Sequence, residues 1–215
     1  EHNDLKTKFI QNISSQMEPT LNTLGASAKD LSAKAPQQAE QMQAQVAALK
    51  QFSDDIQELS LLENSLTEPY EMGEVNAGTF CENVMEKAKE FMKPDVTPSV
   101  NAPKLQVKTN KEQLERILLY LLKNAAFYTE QGRISLDFKK RGAHTHQFII
   151  TDTGTGISAE QQENLFKPFT QVKDLTTGDG LGLPICSLIA TKMNGSLTLD
   201  TSYTKGCRFI LELHA

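Results

Sequence analysis

The sequence predicts an α+β chain: an N-terminal antiparallel helical hairpin, a four-helix bundle once two copies pair, followed by an α/β sandwich. Three observations carry this expectation. Two narrow apolar stripes recur at steps of three and four between positions 5 and 59. A proline-containing break, Lys34-Ala-Pro36, separates them. Beyond a short linker, helix-length patterns alternate with apolar runs of strand length. The expected division is residues 1–66 for the hairpin and 67–215 for the sandwich.

The first stripe is Leu5, Phe9, Ile13, Met17, Leu21, Leu24, Ala28 and Leu31, and the second is Met42, Val46, Leu49, Phe52, Ile56 and Leu59. The intervening residues are mostly polar, which is the pattern of a bundle seam. Pro36 can end one helix and open the next, because its missing N–H is harmless at a first helical position. A hairpin of two such helices cannot bury its seam alone, so a homodimer through these helices is expected. A monomeric hairpin packed on its own C-terminal domain is the alternative. Ser65–Met72, with Pro69, forms the linker. A helix follows over 77–91, a short strand over 105–108 and a helix over 111–127. Strands at 134–138 and 148–152 flank a turn-rich Arg141–His146. A helix over 181–193 stops at Asn194-Gly195, and strands at 197–200 and 208–213 complete the sheet.

Bulk properties exclude several classes. A 215-residue chain with 39% hydrophobic and 23% charged residues has enough apolar material for one or two globular domains. A net charge of −5 without a basic run argues against a nucleic-acid partner. No apolar run is long enough to span a bilayer and no signal peptide is visible. The first residue is Glu1, which suggests a piece of a longer protein. Cys81, Cys186 and Cys207 are widely spaced and read as three buried thiols, neither disulfide frame nor metal site. His144-Thr-His146 reads as part of a solvated loop.

Chemistry concentrates in the C-terminal half. Gly178-Asp-Gly-Leu-Gly-Leu183 is a glycine cluster opening a helix, and Asp152-Thr-Gly-Thr-Gly-Ile157 is a second one closing an apolar strand. Glycine lacks a Cβ and so lets backbone approach a ligand closely. N–H groups at a helix start attract anions. Asn124 sits mid-helix, where asparagine is intrinsically unfavourable. Three such elements in order point to a nucleotide site. Asp152 by itself also fits a turn-forming aspartate.

Taken with Ile117-Leu-Leu-Tyr-Leu-Leu-Lys-Asn-Ala-Ala-Phe-Tyr-Thr129 as an N box and Leu165-Phe-Lys-Pro-Phe-Thr170 as an F box, the chain resembles the catalytic core of a sensor histidine kinase over nearly all its length. The order and spacing are similar to the ATPase superfamily shared with gyrase and MutL. The resemblance implies ATP or ADP with Mg²⁺ as cofactors. It places Asp152 against the adenine amino group, with Gly154, Gly156 and Ile157 along the base. Asn124 becomes the Mg²⁺ ligand, an oxygen donor for a cation that prefers oxygen. Gly178, Gly180, Leu181, Gly182 and Leu183 would admit the phosphate tail, and Tyr128, Phe169 and Lys173 complete the implied set. Departures point to weaker binding than the family norm: Tyr120 and Phe127 stand where the family has Asn and a cation, and Asp179 adds a negative charge. Lys167 and Lys173 could offset it.

Phe9-Ile-Gln-Asn-Ile-Ser-Ser-Gln-Met-Glu-Pro-Thr-Leu21 resembles the family's H box, but the phosphoacceptor histidine falls on Ser15. The acidic neighbour becomes Gln16, and Pro19 stands where the phosphatase motif needs Thr or Asn. A serine hydroxyl needs an adjacent general base, which Gln16 cannot be. The expected function is a two-component, histidine-kinase-like transmitter that binds Mg-ATP without autophosphorylating its own H box. The alternatives are a kinase that phosphorylates a histidine in trans, or a serine kinase of the ketoacid dehydrogenase kinase type. The resemblance implies a response regulator or partner kinase, a cytoplasmic location, and membrane attachment only through a missing N-terminal part.

Overall fold

The computed structural model describes residues 2–170, 178 and 180–214, with backbone alone for residues 2–5. It divides into two compact units: Glu1–Ser65 with Asn164–Ile185, and Leu66–Glu163 with Cys186–Ala215.

The hairpin consists of α1 (His2–Asp30), a 3₁₀ turn (Leu31–Ala33) and α2 (Pro36–Asn64). Helix α1 runs through Pro19, whose carbonyl accepts the Thr23 hydroxyl at 3.0 Å. Pro36 opens α2 as expected. The buried seam has a seven-residue step: Ser14, Leu21 and Ala28 on α1, and Ala39, Val46, Ser53 and Ser60 on α2. Most of these side chains are small, so the two backbones approach closely. Several larger members of the expected stripes lie outside this seam. Phe9 is 64% exposed, and Ile13, Leu24 and Leu31 are also exposed. Ser60 Oγ donates to Thr7 Oγ1 at 3.0 Å, and a Lys6–Glu63 ion pair spans the open end.

The second unit holds β1 (Gly73–Asn76), α3 (Ala77–Lys89), β2 (Val96–Asn101), β3 (Gln106–Thr109), α4 (Lys111–Tyr128), β4 (Gly132–Lys140), β5 (Thr145–Asp152) and α5 (Ala159–Glu163). Helix α6 (Gly182–Lys192) crosses the division, and β6 (Gly195–Leu199) and β7 (Arg208–His214) end the chain. The main sheet has the order β2-β4-β5-β7-β6, parallel between β2 and β4 and antiparallel elsewhere. Strands β1 and β3 form a separate antiparallel pair. Asn76 and Asn110 cap α3 and α4, accepting from Thr79 N–H at 3.1 Å and Gln113 N–H at 2.9 Å. The core joins Ile134, Leu136, Phe148 and Ile150 of the sheet to Leu114, Ile117, Leu118, Leu121 and Leu122 of α4. Opposite, a polar hollow of about 520 Å³ on the outer sheet face includes Arg133, Asp137, Tyr203 and Arg208.

Strands β1 and β2 and helix α5 go beyond the sequence expectation. Strand β2 carries Pro98 but lies at a sheet edge, where a missing N–H is tolerated. His146 corrects the expected solvated loop. It lies on β5, is only 7% exposed and stacks on Phe138 at 5.7 Å between ring centroids. The β4–β5 register extends to the Lys140↔His146 pair, so strand alternation turns this imidazole inward. His144 remains exposed. The three cysteines are buried free thiols, as expected. No helix among the described residues is long and apolar enough to cross a membrane.

Candidate nucleotide site

Alternation along β5 puts Phe148, Ile150 and Asp152 on one face, so Asp152 ends the strand with its carboxylate on the buried side. It is 4% exposed. Its Oδ1 accepts from Gly154 N–H at 2.9 Å and Cys207 N–H at 3.2 Å. Its carbonyl oxygen accepts the Tyr203 hydroxyl at 3.1 Å. None of the described residues donates to Oδ2. Burial raises the Asp152 pKa from its ordinary value, against the opposing pull of the Gly154 and Cys207 N–H groups. The Cys207 thiol is pushed up to about 11, by burial and then by the Asp152 charge, so it stays protonated.

The loop after Asp152 is pressed onto the end of α4. A Cβ on Gly154 would lie 2.4 Å from the Tyr128 carbonyl oxygen and 2.8 Å from Thr129 Oγ1. Thr155 N–H donates to that same Tyr128 oxygen at 3.2 Å. The Thr129 hydroxyl is fully buried and has no hydrogen-bond partner among the described residues. Gly156 has φ +73°, a left-handed conformation that favours glycine. Ile157 is half-buried, and its carbonyl accepts Gln162 Nε2 at 2.9 Å.

This unit therefore brings together Asp152, Gly154, Gly156 and Ile157 with the C-terminal turn of α4, which carries Asn124 and Tyr128. A close-packed glycine, and a carboxylate oxygen and a buried hydroxyl that find no partner among the described residues, fit the edge of a heterocyclic base bearing an amino group. Three participants were not singled out in the sequence. Gly206 (φ +149°) would place a Cβ 2.1 Å from the Asp152 carbonyl oxygen, and Tyr203 and the Cys207 backbone close the same turn. Gly206 was a visible signal, as a lone glycine ahead of a strand. Its closeness to Asp152 follows from β5–β7 pairing, which local pattern does not reveal.

The remaining expected residues belong to the hairpin's unit. Phe169 has φ +65° and is 55% exposed. The Thr170 hydroxyl ties the F box back to Asn164 O and Lys167 O, both at 2.9 Å. Gly178 (φ +144°) and Gly180 (φ +71°) take conformations open to glycine. Leu181 and Leu183 are buried, and α6 begins at Gly182 with Ile185 N–H bonded to Leu181 O at 2.9 Å. Lys173 and Asp179 lie outside the described residues. On α1, Ser15 is exposed and donates to Asn12 O at 2.9 Å. Gln16 is exposed beside it. A depression of about 170 Å³ next to Ser15 also includes Glu18, Lys50 and Asp54. Among the described residues no cluster of histidine, cysteine or acidic side chains could hold a metal ion.

The family model of the histidine kinase-, DNA gyrase B- and HSP90-like ATPases matches residues 109–215. The aerobic respiration control sensor protein ArcB of Escherichia coli (strain K12) is 25% identical over 224 residues, covering 98% of this chain and 29% of ArcB. The chain thus spans less than a third of that relative. Full-length ShkA, solved in complex with AMPPNP, matches with a TM-score of 0.73 at 22% identity, over 96% of this chain and 45% of ShkA. The histidine kinase AdeS of Acinetobacter baumannii matches with a TM-score of 0.69 at 19% identity, over 92% of this chain and 96% of that structure. At such identities the structural likeness is one of fold. Residues 109–215 belong to the histidine kinase-, gyrase B- and HSP90-like ATPases, and the chain is a sensor histidine kinase core carrying that ATP-binding domain.

Proposed function

We propose that this chain is a two-component transmitter that binds an adenine nucleotide with Mg²⁺ and signals through conformation and partner contacts, without phosphorylating its own H box. The observation that carries the nucleotide assignment is the buried Asp152 carboxylate, whose Oδ1 is held by two backbone N–H groups while Oδ2 has no donor among the described residues. Asp152 orients the base by accepting from its amino group. Gly154 keeps the loop low enough for a flat ring, and the Thr129 hydroxyl bonds the polar edge of the base directly or through a water. Asn124 offers an amide oxygen to Mg²⁺, and the glycine run from Gly178 to Leu183 lets backbone N–H groups approach the phosphates. ATP, when bound, supplies a transferable phosphoryl group. The chain's own helix has no histidine at position 15 to take it.

Residues 1–66 act in this reading as the dimerisation hairpin and 67–215 as the catalytic domain. A second copy covers Phe9, Ile13, Leu24 and Leu31, completing a four-helix bundle. The partner is a response regulator or another kinase, and the longer protein is membrane-anchored with this portion in the cytoplasm. Isothermal titration of the chain with ADP and ATP in Mg²⁺, alongside Asp152→Asn, tests the site. Loss of one charge-assisted hydrogen bond predicts at least tenfold weaker binding by the variant, since such bonds contribute about 1.5–3 kcal/mol. Equal affinities for the two proteins would refute the assignment.

A further inference from the structure

The turn between β6 and β7 is organised about Asp200. Its backbone N–H donates to the Arg208 carbonyl at 2.8 Å, and its own carbonyl accepts Tyr203 N–H at 3.2 Å. Its Oδ1 accepts Ser202 N–H at 3.0 Å, the local turn that aspartate favours, and Oδ2 accepts from an Arg208 Nη at 3.4 Å. Arg208 lies beside Thr151 in the β5–β7 ladder. Its Nε donates to Thr151 Oγ1 at 3.1 Å, and the guanidinium carbon sits 4.3 Å from the centroid of the Tyr203 ring. An ion pair, a hydrogen bond and a ring contact thus fix the Arg208 side chain, which in turn braces the half-buried Tyr203 ring.

Thr151, Tyr203 and Arg208 line the polar hollow on the outer sheet face, whereas strand alternation turns Asp152 to the buried side. The Tyr203 hydroxyl joins the two sides by donating to the Asp152 carbonyl oxygen at 3.1 Å. Gly206 keeps that approach open, since a Cβ there would lie 2.1 Å from the same oxygen. The carbonyl belongs to the peptide that leads into Thr153. The N–H one residue further on, that of Gly154, is one of the two donors holding Oδ1. Turning the peptide would move the Gly154 N–H and swing the carboxylate with it. Holding the carbonyl therefore also holds the direction of Oδ2.

We propose that Tyr203, braced by Arg208, is a positioning residue for base specificity: it fixes the Asp152 peptide, and so the Oδ2 direction, without touching the base. What it supplies is selectivity for a purine with an exocyclic amino group over one that lacks it. This rests on the adenine-site assignment above. A carboxylate free to swing loses orientational freedom when it binds an amino group, which weakens the bond it makes. One already held in direction avoids that loss, and only a ligand that bears the amino group benefits.

The test is isothermal titration of the chain with ADP and with purine riboside 5′-diphosphate, which lacks the amino group, both in Mg²⁺. The ratio of the two affinities isolates the bond to Asp152 from every other contact. The wild-type chain is expected to prefer ADP by about tenfold or more, the effect of one charge-assisted hydrogen bond. Tyr203→Phe removes a single oxygen and is expected to lower that preference by about threefold or more, with purine riboside diphosphate little affected. Arg208→Met should lower it in the same direction, and the double variant should fall no further than the larger single effect, because both side chains act through one contact. A merely structural role would weaken both ligands alike. An unmoved ratio in folded Tyr203→Phe therefore overturns the proposal while the Asp152 assignment stands. Additive losses in the double variant would overturn the bracing by Arg208. If Tyr203→Phe unfolds by circular dichroism, Arg208→Met reads the same ratio. No preference for ADP in the wild-type chain would mean that the adenine site itself is wrong, and the inference falls with it.

Discussion

The hairpin and the ATPase unit bury their apolar residues by different rules. In the ATPase unit Leu114, Ile117, Leu118, Ile134, Leu136, Phe148 and Ile150 are all less than 2% exposed, sealed between helix and sheet. In the hairpin the seam is largely serine and alanine, while Phe9, Ile13, Leu24, Leu31 and Leu61 stay on the surface. One region has a finished core, and the other has a finished helix-to-helix contact with several of its larger side chains still uncovered. A sheet with helices on one face can close a core within one chain, but two helices touch along a single line. The chemistry divides the same way. The ATPase unit holds a buried, oriented carboxylate at Asp152, whereas Ser15 on the hairpin is exposed and donates to its own helix backbone.

The largest expected effect would break this contrast in chemistry. Incubated with labelled ATP, the wild-type chain should acquire no acid-labile phosphate. Ser15→His alone should remain silent or nearly so, because Gln16 cannot take a proton. Ser15→His with Gln16→Glu should exceed it by about 10²-fold or more, in keeping with the ~10²–10⁴-fold contribution of general-base assistance. Equal labelling of the single and double variants would show that the missing base is not what silences the helix.

The contrast in packing can be sharpened with matched truncations. Leu118→Ala removes a fully buried side chain and should cost about 2–5 kcal/mol in denaturant unfolding followed by a probe in the ATPase unit. Leu24→Ala removes an exposed side chain, and in a dilute monomeric sample its cost should be below about 0.5 kcal/mol. At micromolar concentration, light scattering should give twice the chain mass, and Leu24→Glu should return it to the monomer mass. A monomer with a folded hairpin at every concentration would remove the second copy from the explanation.

The smallest effect compares two titrating groups on the buried face of one strand. His146 has its pKa lowered by burial and then by Lys140 and His144, so the fold holds it neutral. Its penalty should appear as pH falls below the unfolded value of about 6.5, and His146→Phe should remove that loss of stability. Asp152 has the opposite sign. Its raised pKa means that the ligand-free fold gains stability as the carboxyl protonates, while nucleotide binding weakens over the same range. Denaturant midpoints from pH 8 down to about 4, the ordinary carboxylate value, with and without ADP, should show the two trends diverging. Parallel trends would mean that Asp152 does not couple to the ligand.

The turn that follows Asp152 was legible because its parts are local. Two glycines spaced after an apolar strand mark a turn that side chains would block, and Gly154 sits 2.4 Å from a carbonyl for that reason. What escaped was set by partners far away in the chain. Cys207, Tyr203 and Gly206 reach Asp152 only because β7 pairs with β5. His146 was taken for loop because the register that extends β5 depends on β4. The apolar stripe of α1 was visible, but periodicity alone could not tell that Leu21 and Ala28 face α2 while Phe9 and Leu24 face outward.

The amino-acid sequence by itself determined the inventory: two amphipathic helices, two glycine clusters with Asp152 and a mid-helix Asn124, and Ser15 in a segment that resembles a phosphoacceptor motif. These follow from backbone preferences and side-chain chemistry that act within a few residues. Only the tertiary structure decided that Asp152 is buried with Oδ1 taken. Burial, ionisation and access depend on which distant segments exclude water from a group, and that is a property of the assembled layers.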